Sequence, residues 1–112
     1  MTAIMNCSLY PTNSLETINF LIENGADINI KSETGFTALI CFTRNSSEKY
    51  DLEIIKLLIR KGSQINYKNN RNDTALTSCF NIDNILIIYD IVKILLDNKV
   101  DVYIKNEQGK IY

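Results

Sequence analysis

A fifteen-residue string returns every 37 positions. Residues 15–29 read LETINFLIENGADIN, residues 52–66 read LEIIKLLIRKGSQIN, and residues 89–103 read YDIVKILLDNKVDVY. Leu21, Leu58 and Leu95 fall in register, as do Asp27, Gln64 and Asp101. A fixed period of this size marks a repeat array, in which each unit buries its apolar side only against a neighbour. That constraint comes before any local reading of the chain. Within each string the apolar residues recur at helical spacing, as with Leu15, Ile18, Leu21 and Ile22. Gly25 and Gly62 then stop the first two helices, because a left-handed C-terminal position costs glycine least.

A second string sits upstream of the first in each unit. Thr2-Ala3-Ile4 precedes Leu15 by 13 residues, and Thr37-Ala38-Leu39 and Thr74-Ala75-Leu76 precede Leu52 and Tyr89 by 15. In these two strings the chain resembles the ankyrin repeat family. The family's T-P-L-H-x-A start is matched by Thr37-Ala38-Leu39-Ile40-Cys41-Phe42 and by Thr74-Ala75-Leu76-Thr77-Ser78-Cys79. Its L-L-x-x-G-A-D-x-N end is matched by Leu21-Ile22-Glu23-Asn24-Gly25-Ala26-Asp27-Ile28-Asn29. The resemblance covers essentially all 112 residues. It implies an all-α solenoid of stacked helix–turn–helix units joined by short β-turn fingers.

The unit boundaries expected from this register are 2–36, 37–73 and 74–110, in one domain cut within a repeat at both ends. A fragment of a longer array is one expectation, a truncated reading frame a second, and a chain that pairs with something a third. The units run 35, 37 and 37 residues against a common 33. The excess falls between the paired helices, as in 43–51, TRNSSEKYD, and a longer inner helix or loop would hold it. Ser14 and Thr37 are candidate N-caps. The third inner helix is expected from Thr74 to about Ile82. Ile28 and Ile30 alternate with Asn29 and Lys31, which suits a short strand in the first finger. Gly35 and Asn72 take equivalent turn positions in successive fingers, and Gln108-Gly109 turns the third. Lys99 and Val100 stand where the earlier units have Gly-Ala and Gly-Ser, so local strain is expected there. Ile91, Ile94 and Leu95 are expected to lack a following helix pair to cover them.

Little in the chain points to chemistry. It has no histidine, which excludes His general bases, Ser-His-Asp and Cys-His arrangements and most zinc sites. Its four glycines are isolated, so no phosphate loop forms. Cys7, Cys41 and Cys79 make no C-x-x-C, and Cys7 and Cys79 read as small core residues. Asp51 and Glu53 lie two apart on a helix and diverge, so shared acid–base work is not expected of them. Lys56 and Lys93 read as a solvated helix face. Asp27 and Asp101 read as turn carboxylates. No cofactor, metal or small-molecule substrate is implied. With 12 basic and 13 acidic residues the net charge is −1, which gives no footprint for nucleic acid or an anionic membrane. No signal peptide opens the chain and no run is long enough to span a bilayer. An intracellular, non-enzymatic protein in a reducing compartment is the expectation.

The resemblance also implies a function. Proteins of this kind bind other proteins with their finger tips and with the concave face of the inner helices. By register the tips are Glu33, Thr34 and Phe36, then Asn70, Arg71 and Asp73, then Glu107, Gln108 and Lys110. The concave helix positions are Cys41, Arg44, Asn45 and Ser78. Phe36 beside Arg71 resembles an interface anchor, and packing onto the next finger near Tyr67 is its other reading. The implied role is a non-catalytic scaffold that binds a partner protein. The alternative is a targeting or regulatory segment of a larger chain whose catalytic part lies elsewhere.

Overall fold

The computed structural model describes residues 3–7 and 14–102. The helices run in chain order as α1 Ala3–Cys7, α2 Ser14–Glu23, α3 Ala38–Asn45, α4 Lys49–Arg60, α5 Ala75–Ser78 and α6 Ile85–Asp97. A 3-10 turn, Cys79–Asn81, extends α5. α1 packs on α2 and α3 on α4, while α6 meets the 3-10 turn. α1, α3 and α5 stack on one side, and α2, α4 and α6 on the other. The result is an all-α solenoid of three layers.

Each outer helix ends in the same closed turn. The N–H groups of Ala26, Ser63 and Val100 donate to the carbonyls of Leu21, Leu58 and Leu95, each at 3.0 Å. Those of Gly25, Gly62 and Lys99 donate to Ile22, Ile59 and Leu96, each at 3.1 Å. This pair of bonds is the Schellman motif, which needs a left-handed residue between helix and exit. Gly25 and Gly62 supply it at φ +93° and +106°. Lys99 is held at φ +64° in the same turn. The chain therefore bears left-handed strain of about 1–2 kcal/mol at Lys99 rather than open the turn.

The helix starts are set by local acceptors. Thr37 Oγ1 accepts from the Ile40 N–H at 3.3 Å, as the sequence predicts. Thr74 and Thr77 exchange side-chain and backbone bonds at the start of α5. α4 begins three residues before Leu52, because the buried Asp51 carboxylate accepts from the N–H groups of Ser47 and Glu48 at 3.0 and 3.1 Å. The inserted residues thus lengthen the outer helix rather than the inner helix or the loop. Ser14 as a capping side chain, and Cys7 as a core side chain, lie outside what is described.

The middle layer is the best covered. Ile54, Ile55 and Leu58 are fully buried, and so are Leu39 and Phe42 of α3. Leu58 and Leu95 occupy equivalent buried places, whereas Leu21 is only half-buried against the core. Ile18 is the fully buried residue of α2. Among the described residues α2 meets one outer helix, α4, and its buried stripe is narrow. At the other end the expectation for α6 is reversed. Ile91, Ile94 and Leu95 are buried against the preceding layer, and Ile85, Leu86, Tyr89 and Leu96 are exposed. The uncovered stripe is the opposite face of the same helix. Register shows why. Tyr89 aligns with Leu52, which is buried, and Val92 aligns with Ile55, which is fully buried.

A further expectation needs correction. No strand forms in the fingers among the described residues. Ser32 N–H donates to the Phe36 carbonyl at 2.9 Å, but the Phe36 N–H returns to the Ser32 hydroxyl at 3.0 Å, not to a main-chain carbonyl. Asn69 and Asp73 repeat this pairing in the second finger. A side chain that takes one half of each pair stops a ladder from propagating. The third inner helix runs to Asn81, close to the expected Ile82, but it is α-helix only to Ser78 and then tightens into 3-10 geometry. Ile82 N–H donating to the Cys79 carbonyl closes it. The turn at 108–109 lies outside the described residues.

The fingers are also tied across layers. Asn29 Oδ1 accepts from the Gln64 N–H at 2.9 Å, and its Nδ2 donates to the Gly62 carbonyl at 3.1 Å. Asn66 Oδ1 accepts from the Asp101 N–H at 2.7 Å, one layer on. Asp27 closes its own turn by accepting from the Asn29 N–H at 2.9 Å.

Candidate functional site

The first finger and α3 come together in an open groove of about 520 Å³, lined by Ser32, Glu33, Thr34, Phe36, Cys41, Arg44 and Asn45. The finger side is shaped by the Ser32–Phe36 pairing, with Ser32 and Thr34 hydroxyls 3.3 Å apart at the tip. Gly35 lets the second finger approach. A Cβ there would stand 2.9 Å from Asn70 Oδ1 and 3.1 Å from its backbone N, at a φ of +84°. The helix side is the C-terminal half of α3, with Cys41, Arg44 and Asn45 on the face that turns toward the finger.

Phe36 is half-buried against the core and carries two guanidinium groups. Arg44 Cζ stands 5.6 Å from its ring centroid and Arg71 Cζ 5.9 Å. Both distances fall within cation–π range. Tyr67 is engaged elsewhere, beneath Lys31 Nζ at 4.6 Å. Phe36 is therefore not a free aromatic, since Arg71 of the next finger stands over its ring. As the last residue of the first unit, it carries two arginines of the second, one from α3 and one from the finger after α4.

Six of the sequence-predicted site residues meet in this groove: Glu33, Thr34, Phe36, Cys41, Arg44 and Asn45. Arg71 joins them through the Phe36 ring, and Asn70 lies against the first finger through Gly35 and a 3.5 Å bond to the Glu33 carbonyl. Asp73 is half-buried and its backbone closes the second finger. Glu107, Gln108 and Lys110 lie outside the described residues. Ser78 is 1% exposed and is not among the residues that line the groove. Ser32 was missed, although its hydroxyl builds the tip. A serine four residues before Phe36 was the available signal, because such side chains close turns on nearby N–H groups.

The electrostatics are simple. Burial pushes the Cys41 thiol up from its ordinary value, with Arg44 partly opposing. The same burial takes Cys79 up to about 11. Neither thiol is an activated nucleophile. Asp51 is spent on backbone N–H groups and Glu53 pairs with Lys56 at the surface, 3.3 Å apart. Among the described residues no group of three His, Cys, Asp or Glu could hold a metal, and no helix is long and apolar enough to cross a membrane.

A family model for ankyrin repeats, in three copies, matches residues 2–106. A search of curated proteins gives no match. Arrays of this type are generally protein–protein interaction modules and are typically non-catalytic. With three layers built on one closed turn, and the matched span covering nearly the whole chain, the chain belongs to the ankyrin repeat family.

Proposed function

We propose that the chain is a non-catalytic scaffold that binds a partner protein through its finger tips and concave inner-helix face. The supporting observation is the groove between the first finger and α3, where Glu33, Thr34, Phe36, Arg44 and Asn45 line one open surface. Half-buried aromatic and arginine side chains at the centre of a patch are the usual carriers of interface energy. In this reading the units are 2–36, 37–73 and 74–110, and the free thiols of Cys41 and Cys79 suit a reducing, intracellular setting. Affinity capture from source cells tests it. A partner held by the native chain is lost from the Phe36→Ala/Arg71→Ala double variant, with the helical circular dichroism signal of the two proteins equal. Equal retention by both overturns the groove as the binding surface.

A further inference from the structure

Resting on that reading, we infer that the groove takes a short acidic segment of the partner protein, with a carboxylate held jointly by Arg44 and Arg71. The two guanidinium groups come from different elements of the second unit, one from the last turn of α3 and one from the second finger, and each stands within about 6 Å of the Phe36 ring centroid, at 5.6 and 5.9 Å. Stacking on a ring fixes the plane of a guanidinium and leaves its N–H edge free to fork onto a carboxylate. Among the described residues neither arginine has a carboxylate within the 4.0 Å of an ion pair. The chain nonetheless carries 13 acidic residues against 12 basic ones. Two cations beside one ring, with no carboxylate at ion-pair distance among the described residues, are complementary to an anion.

The remaining lining narrows the partner further. Phe36 and Cys41 offer an apolar floor beside the arginines, and Ser32 and Thr34 offer hydroxyls at the tip. An apolar side chain next to the acidic one fits that floor. A volume of about 520 Å³ holds a short segment and not a protein face. Glu33 also lines the groove and is exposed, so it weakens the positive field without cancelling it. Asp73, two residues from Arg71, is the other nearby acid in sequence and forms no ion pair among the described residues.

Phage display of linear peptides against the immobilised full chain tests the inference, followed by fluorescence polarisation with the most enriched peptide. Enriched peptides carry Asp or Glu beside an apolar residue. Arg44→Ala and Arg71→Ala each weaken binding about tenfold or more, as for loss of a charge-assisted pair. Replacing the peptide's acid by its amide does the same, and the loss is not compounded when both changes are made. Arg44→Lys loses part of the affinity, because an ammonium lacks the fork, and Glu33→Gln tightens binding. Peptides that depend on Phe36 but not on either arginine, or that show no acidic preference, overturn the acidic-partner inference and leave the protein-binding reading standing. Peptides indifferent to Phe36→Ala, or no enrichment at all, overturn both. Thermal melts of each variant separate loss of binding from loss of fold.

Discussion

Asn29→Ala removes the side chain that joins the first finger to the turn after α4. Asn29 Oδ1 accepts from the Gln64 N–H at 2.9 Å and Nδ2 donates to the Gly62 carbonyl at 3.1 Å, so two bonds between layers are lost together. Each such bond contributes about 1 kcal/mol net. Asn29 is half-buried, so water recovers part of the loss. The expected cost is about 1–2 kcal/mol, a drop of about 4–8 °C in Tm for a domain of this size. Because the bonds couple neighbours, the loss acts on the interface between layers and not within one. Cooperativity should fall as well, with a lower m-value in urea. Asn29→Asp keeps the acceptor, loses the donor and sets a carboxylate against the Gly62 carbonyl, so it gains no stability over the alanine variant. Urea unfolding followed by circular dichroism measures all three, with the exposed Lys93→Ala as the control. Asn29→Ala within about 0.5 kcal/mol of that control, and with an unchanged m-value, would refute the inter-layer role.

Two further outcomes follow from the same geometry. Gly35→Ala and Gly62→Ala both place a side chain at positive φ, but only the first meets a neighbour, Asn70 at 2.9 Å. Gly62→Ala should cost about 1–2 kcal/mol and Gly35→Ala measurably more in the same urea assay. Burial holds the Cys79 thiol at about 11 against 9.0 for a free thiol, so the folded chain keeps a proton that the unfolded chain releases. The stability this confers is intact below pH 9 and is lost as pH rises toward 11, by up to about 1.4 kcal/mol per unit. Unfolding free energies across that window should therefore fall more gently in Cys79→Ala than in the native chain.

The helix exits and starts were legible because they are local. Thr37 caps α3 through a bond three residues long, and Gly25 and Gly62 close turns within five. The 37-residue register carried those local pieces into a stack. Which face each helix buries was less legible. α6 is apolar nearly all round, so its pattern does not say that Ile91 and Leu95 turn inward while Tyr89 and Leu86 stay outside. The same holds for Leu21, whose string matches that of Leu58 but whose helix meets one outer helix among the described residues. The fingers misled because alternation reads as a strand, while Ser32 and Asn69 divert half of each pairing to a side chain.

The residues along the chain thus determined the repeat, its period, its caps and its left-handed turns, since each of these depends on bonds spanning a few positions. The register set Phe36 beside Arg71, but tertiary structure alone decided that Phe36, Arg44 and Arg71 share one ring. They lie on a finger, a helix and the next finger, and only the closeness that Gly35 permits between fingers brings the second arginine to the first layer's aromatic.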